Sequence, residues 1–174
     1  MKRLGHLLFA MTLISLIGAT SVVYAGENKL GGGLHYLHNL ADIQDTEVIE
    51  WNNDSFGFIG SFQHATSLLK LEADVEYVPD FAGTDEAMWV PSGWALLGGM
   101  LYGGAGIGIG HINDEWQSNP FYALRAGVDI PLSKMSLDVF GTYQFQQDQD
   151  LEDLTGEDLD SVTFAAVLRF KLGN

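Results

Sequence analysis

The stretch LKLEADVEYV, residues 69–78, alternates apolar and charged side chains from Leu69 to Tyr77. Successive side chains of a β-strand point to opposite faces, so this period of two predicts a strand rather than a helix. One face of the strand would carry only apolar side chains. The other would carry Lys70, Glu72, Asp74 and Glu76. This segment therefore predicts a strand that separates two very different environments.

The same alternation recurs along the chain and predicts eight strands in all. They lie near residues 30–40, 55–64, 68–78, 88–97, 100–112, 120–130, 135–146 and 161–172. The uncharged stretch 87–113 is long enough for a membrane helix, but it contains Pro91 and eight glycines. Each interior glycine costs a helix about 1 kcal/mol and proline about 3. Two strands that meet at Gly98-Gly99 fit this composition better.

The lengths of the links between these strands predict the architecture. Long links at 41–54, 79–87, 113–119 and 147–161 alternate with short ones near 65–67, 98–99 and 131–134. An up-and-down meander places all long links at one end, which is the layout of bacterial outer-membrane barrels. Strands of about ten residues also suit a tilted crossing of the hydrocarbon layer. We therefore predict an all-β fold, an eight-stranded antiparallel up-and-down transmembrane β-barrel.

The N-terminus and the composition narrow the class of protein further. Lys2 and Arg3, an apolar run at 7–17 and Val23-Tyr24-Ala25 predict a secretory signal peptide over residues 1–25. The barrel would then occupy residues 26–174. The 174-residue chain has 23 acidic and 8 basic side chains, a formal charge of −15 and no cysteine. This balance argues against nucleic acid as a partner, and disulfides and thiolate metal sites are excluded.

Acidic residues concentrate in the four long links, which hold 17 of the 23 and no lysine or arginine. Such runs are usually solvated surface. A sharper hypothesis is that divalent cations bind here and bridge the loops to anionic lipid headgroups, since calcium and magnesium prefer oxygen ligands. The candidate ligands in the last link are Asp148, Asp150, Glu152 and Asp153. No loop has the twelve-residue calcium-binding pattern, and the metal itself is not specified by the sequence.

The charged faces of the strands are expected to meet inside the barrel, because only its outside must be apolar in lipid. The predicted polar network of the lumen consists of Lys70, Glu72, Asp74, Glu76, Arg125, Asp129, Asp138 and Arg169, with Lys171 joining it. Lys29 and Lys134 are expected towards the end with the short links. Buried charges persist only when they are paired, and eight strands leave just enough room for side chains. We therefore predict a closed, structural polar core, with a proton or ion relay as the alternative.

Two glycine-containing segments resemble a known family. Residues 101–108, LYGGAGIG, and 126–133, AGVDIPLS, look like the fifth and sixth strands of small OmpA/OmpX-like outer-membrane barrels. The resemblance implies an outer-membrane location among lipid and lipopolysaccharide, insertion by the barrel-assembly machinery, a monomer and no cofactor. The family commonly ends on an aromatic residue, whereas this sequence continues past Phe170 to Leu172-Gly173-Asn174. This departure concerns the assembly signal and leaves the expected fold unchanged.

An enzymatic relative, the lipid A deacylases, has a similar barrel with a His-x-Ser-Asn motif late in its seventh strand. Here residues 142–147 read TYQFQQ, so the histidine and serine are missing. His111 with Asp114 and Glu115 is a weaker candidate, because a histidine at a strand end is more often structural. The other strand histidines, His35, His38 and His64, have no metal-ligand spacing.

We therefore expect a non-enzymatic barrel with a structural or surface-interaction role. The alternatives are a deacylase-like enzyme and a narrow channel, in which the glycines would enlarge the lumen. A soluble lipocalin-like barrel is a further alternative, and it would reverse the apolar and polar faces.

Overall fold

The structure, a computed structural model, describes residues 26–39, 54–80, 86–112, 115–117, 119–145 and 161–173. Its strands are β1 (Glu27–Asn39), β2 (Asp54–Ala65), β3 (Leu69–Val78), β4 (Met88–Gly98), β5 (Leu101–Gly108), β6 (His111–Ile112), β7 (Glu115–Trp116), β8 (Phe121–Leu132), β9 (Met135–Phe145) and β10 (Ser161–Leu172). Within these ranges no helix is long and apolar enough to cross a membrane. The predicted signal peptide lies outside the described residues and stays a prediction.

The eight long strands form one closed antiparallel barrel. Each pairs with its neighbour along the chain, and β5 pairs with β8 across the small β6–β7 hairpin. The ring closes where β1 pairs with β10 over twelve residue pairs, from Asn28↔Leu172 to Asn39↔Ser161. The predicted eight-stranded up-and-down barrel is confirmed. The predicted strand at 100–112 is wrong as one unbroken strand, because it ends at Gly108 and pairing with β4 resumes at His111.

Pro91 of β4 explains this interruption. It lies between the pairs Ser92↔Gly108 and Trp89↔His111, and as a proline it has no N–H to donate to the opposite strand. A bond from the Ile109 N–H to the Pro91 carbonyl, 3.2 Å long, spans the gap. The alternation pattern cannot reveal such a break, because proline occupies an outward position there like any apolar residue.

Three tight turns lie together at one end of the barrel, which we call the turn end; the opposite end is the loop end. The β2–β3 turn is closed by a 2.8 Å bond from the Thr66 N–H to the Leu69 carbonyl. Gly98 before the β4–β5 turn has a φ of 128°, which a side chain would disfavour. The β8–β9 turn contains Ser133 with a φ of 63°. The short links are therefore confirmed where the sequence placed them.

The outside of the barrel is largely apolar, and its polar side chains, Asn28, His38, Asp54 and His64, lie near the strand ends. Outward residues of the eight long strands carry no charge in the described ranges, apart from Asp54 at the loop end of β2. Large apolar side chains there are freely exposed, with Phe56 and Leu101 both at 72%. Alternate residues on the same strands are buried, so the face assignment of a lipocalin-like barrel is wrong for this chain.

The interior is mixed rather than wholly polar, which corrects the sequence-based expectation. A buried apolar cluster lies in the lumen and includes Ile59, Val78, Met88, Val90, Trp94, Leu96, Tyr102, Phe121, Ala123, Phe140, Ala165 and Val167. Strand β4 is the main reason, because its inward face is largely apolar while its outward face is uncharged as well. Such a strand shows no polar–apolar alternation, so its inward side chains could not be recognised from the sequence.

Two neighbouring glycines of β1 provide a matched test of this packing. A Cβ at Gly33 would overlap the Ala166 carbonyl and lie 2.7 Å from the Val167 Cα, and backbone cannot easily yield. A Cβ at Gly32 would approach nothing closer than the Ile59 carbonyl at 3.8 Å. We expect Gly33→Ala to lower the free energy of unfolding by about 1–3 kcal/mol, the usual range for overpacking, and Gly32→Ala to change it little. Urea unfolding in lipid vesicles measures both, and equal effects would contradict the assigned faces.

Candidate functional site

Five charged side chains from four strands meet in the middle of the lumen, and we call them the central cluster. They are Arg125, Arg169, Glu72, Asp74 and Asp138, each at most 5% exposed. Arg125 Nη1 donates to Glu72 Oε1 at 2.7 Å and to Asp74 Oδ2 at 2.8 Å. Arg169 Nη2 donates to Glu72 Oε1 and to Asp138 Oδ2, both at 2.9 Å. Glu72 therefore links the two guanidinium groups across the barrel.

The Arg125 guanidinium is also held between two aromatic rings. Its Cζ lies 3.7 Å from the centroid of the Trp94 ring and 3.9 Å from that of Phe140. Such stacking stabilises a desolvated cation. Trp94 has room because the facing residue is Gly106, where a Cβ would overlap the indole ring. At this position a strand glycine makes space for a bulky lumenal neighbour.

Neutral polar side chains also donate hydrogen bonds to the carboxylates of the central cluster. Tyr102 Oη donates to Asp138 Oδ1 at 2.7 Å, and Gln63 Nε2 donates to Glu72 Oε2 at 2.7 Å. Arg169 also donates to the Ser61 hydroxyl. Buried charges are tolerated when they are paired and hydrogen-bonded in this way. The side chains of the central cluster therefore fill the middle of the barrel, and hydrogen bonds and ion pairs hold them in place.

A second group of charges lies nearer the turn end, and we call it the lysine pair. Lys29 and Lys70 both donate to Asp129 Oδ2, at 2.9 and 3.0 Å, and Lys29 also reaches the Ser136 hydroxyl at 3.4 Å. The Lys70 Nζ lies 4.4 Å from the centroid of the Tyr102 ring. Sequence reasoning did not include Lys29 in the network, because the glycines that follow it in β1 obscure the alternation.

Lys171 does not join the network as the sequence predicted. It has the inward parity of β10 but lies at the rim of the turn end, where the side chain is 35% exposed and pairs with Glu27 at 2.9 Å. All eight other predicted residues are placed in the lumen and are at most 8% exposed. Glu76 lies apart from the central cluster and faces His35, whose Nδ1 is 3.3 Å from Glu76 Oε2. His35 fits because Gly57 opposes it on β2.

The remaining candidates lie at the loop end. The proposed cation ligands Asp148, Asp150, Glu152 and Asp153 all fall outside the described residues, as does Asp114. His111 packs edge-on against the Trp116 ring at 4.7 Å, on the β6–β7 hairpin. His38 Nδ1 and Tyr36 Oη both bond Asp54 Oδ1, at 2.7 and 2.5 Å. No cluster of three potential metal ligands occurs in the part of the chain that the structure describes.

Comparison with solved structures agrees with this architecture. Neisserial surface protein A has a TM-score of 0.56 at 13% identity, over 83% of this chain and 97% of that one. The chain has the fold of a small outer-membrane β-barrel. The outer membrane protein OprG from Pseudomonas aeruginosa is similar too, with a TM-score of 0.54 at 14% identity, over 86% of this chain and 97% of that one. No protein-family model and no curated protein matches the sequence.

For this outer-membrane-type barrel, the fold expected from residues 101–108 and 126–133 is confirmed. The first segment contains β5, and the second spans the end of β8 and the turn at Ser133. Two of their glycines serve the packing of the barrel interior: a Cβ at Gly108 would overlap the Phe121 ring, and a Cβ at Gly127 would lie 2.7 Å from the Tyr102 ring. These segments therefore mark the architecture of the barrel.

Proposed function

We propose that this chain is a non-enzymatic outer-membrane protein with a closed lumen, and that it acts as a structural or surface-interaction protein. The observation that carries the proposal is the largely apolar exterior, uncharged apart from Asp54 on the long strands, around an interior of paired charges. In water, charged side chains outside and apolar side chains inside would be more favourable. In lipid, the exterior has to be apolar, as it is here. The surroundings would be outer-membrane lipid and lipopolysaccharide, reached through the barrel-assembly machinery, with the chain as a monomer.

The distribution of charge along the barrel supports an acidic outer surface. All six lysines and arginines after residue 25 lie on the described strands and turns, in the middle of the barrel or at its turn end. The described charges at the loop end include Asp54, Asp80, Glu86 and Glu115. With the turn end in the periplasm, the loops would lie beside anionic headgroups. The loops contain no basic side chain that could pair with those headgroups. Divalent cations at the loops, including Asp148 to Asp153, would then bridge like charges.

Envelope fractionation followed by gel electrophoresis in detergent tests the membrane assignment. We expect the protein in the outer-membrane fraction and a change of gel mobility after boiling, because a closed barrel resists detergent until it is heated. The Gly33→Ala and Gly32→Ala pair provides a graded control, with the first variant shifting at the lower temperature. Recovery in the soluble periplasm without a mobility change would contradict the proposal.

Conductance measurements test the closed lumen. The Arg125 and Arg169 side chains lie across the middle of the barrel and are fully desolvated, with side-chain exposures of 0%. We therefore expect no steady single-channel conductance above the bilayer background in planar membranes. Steady conductance would favour the narrow channel instead. Turnover of lipid A that is lost in His111→Ala would favour the enzyme.

A further inference from the structure

A cavity of about 410 Å³ opens at the turn end of the barrel, below the lysine pair. Its charged and polar lining includes Glu27, Lys29, Lys70, Asp129, Ser136 and Lys171. Ligand pockets usually measure about 300–1,000 Å³, so this space suits a small molecule or the end of a chain. The proposed surface role, which concerns the loop end, makes no use of it.

The charges in the wall of this cavity do not balance. Lys29 and Lys70 share a single carboxylate oxygen, Asp129 Oδ2, and the side chains of all three are at most 8% exposed. In the described ranges no other carboxylate lies within 4.0 Å of either ammonium, and the pair Lys171–Glu27 is separate. The carboxylates of the central cluster bind Arg125 and Arg169 instead. The two buried ammonium groups therefore carry one positive charge more than their shared carboxylate can neutralise, which is unfavourable.

Lys29, Lys70 and Asp129 do not use all of their hydrogen-bonding groups within the protein. An ammonium group has three donors, of which Lys29 directs two to Asp129 and Ser136, and Lys70 directs one to Asp129. Asp129 Oδ1 is buried and has no hydrogen-bond partner among the described residues. The site thus offers free N–H donors on two lysines beside one free carboxylate acceptor. A complementary ligand carries an anionic group next to an N–H or O–H donor.

We propose that the turn-end cavity binds one small carboxylate whose neighbouring atom bears an N–H or O–H group, as in an N-acylated amino acid or the C-terminal end of a peptide. The carboxylate bonds to Lys29 and Lys70, and the adjacent N–H donates to Asp129 Oδ1. A single negative charge neutralises the excess ammonium. A phosphate dianion would overcompensate it and place surplus negative charge next to Asp129.

Titration of the detergent-solubilised protein with N-acetylalanine tests this site. The readouts are calorimetry and the NMR signals of ¹⁵N-labelled lysine side chains, the latter needing no substitution. We expect saturable binding that moves two lysine signals, no binding of the neutral N-acetylalanine methylamide, and weaker binding of acetate, which lacks the N–H. Absence of N-acetylalanine binding, equal binding of the methylamide, or acetate binding as tight as N-acetylalanine would overturn the proposal.

Substitutions test which residues bind the carboxylate. Two of them are expected to weaken binding, and a third is expected to strengthen the binding of acetate. Lys70→Gln and Lys29→Gln each remove a charged hydrogen bond, so acetate and N-acetylalanine should bind about tenfold more weakly. Lys134→Gln, which removes an exposed lysine at the β8–β9 turn outside the cavity lining, serves as the matched control and should leave binding within about twofold. Asp129→Asn removes the competing carboxylate, so acetate should bind more tightly. Unchanged binding in both lysine variants, or weaker acetate binding in Asp129→Asn, would overturn the assignment.

The source of the carboxylate is distinguished by a longer probe. N-acetyl-trialanine presents the same terminal carboxylate and N–H with a peptide tail behind it. Binding tighter than that of N-acetylalanine supports a peptide end as the occupant, and equal or weaker binding supports a free small acid. The heat-dependent mobility of each variant on gels reports whether the barrel has folded, so loss of binding is separable from loss of fold and from failure of the proposed surface role.

Discussion

Arg169→Met is expected to lower the free energy of unfolding by about 3–5 kcal/mol, the range for breaking a buried ion pair from one side. Arg169 is fully buried and holds Asp138 through Nε and Nη2, at 3.2 and 2.9 Å, as well as Glu72. Glu72 keeps Arg125 in the variant, whereas among the described side chains Asp138 keeps only the Tyr102 hydroxyl. An uncompensated carboxylate then remains in the lumen. Urea unfolding in lipid vesicles, followed by tryptophan fluorescence, measures the loss.

A second substitution separates charge from packing. Asp138→Asn in the Arg169→Met background removes the stranded carboxylate, so we expect part of the lost stability to return. Lys134→Met, at the exposed β8–β9 turn, is the control for removing a basic side chain and should change stability by less than about 0.5 kcal/mol. An Arg169→Met variant within about 1 kcal/mol of the unmodified protein would contradict a tightly paired central cluster.

Ala126→Arg is expected to lower stability in lipid by about 2–4 kcal/mol, the range for a basic side chain at the middle of the bilayer. Ala126 points outward near the centre of β8, and its neighbours across the sheet are Gly103 and Gly141. These glycines leave room for the longer side chain, so overpacking does not explain the loss. The same measurement, unfolding from vesicles, reports the effect.

Position along the same strand provides the control. Leu132→Arg places the charge on the last residue of β8 at the turn end, where the side chain can reach water. Its expected effect is about 0–1 kcal/mol. Ala126→Met adds bulk without charge and should be tolerated. Equal effects of the two arginine substitutions would mean that the barrel surface does not cross a bilayer, and would favour a soluble protein.

The faces of the clearly alternating strands were recognised from sequence, whereas the errors about the apolar part of the lumen and about Lys29 arose on strands without clear alternation. β3 showed its two faces directly, and its charged residues lie inside the barrel. β4 is uncharged on both faces, so its buried Trp94 and Leu96 went unrecognised, and the lumen was expected to be more polar than it is. β1 has one lysine, Lys29, shortly before three glycines, so its alternation is obscured. The sequence therefore predicted only the end of the barrel at which Lys29 lies and not its place in the lumen.

Local sequence alone determined where the strands lie, which face of a clearly alternating strand is charged and which links are short. These properties depend on the alternation of side chains and on residues adjacent in the chain. Only the tertiary structure decided which charges meet, because alternation assigns a face but not a height in the barrel. The stagger between strands brings Glu72 of β3 to Arg169 of β10, and places Arg125 of β8 against Trp94 of β4. For the same reason, the lysine pair and its unmatched charge arise from three strands that are distant in sequence.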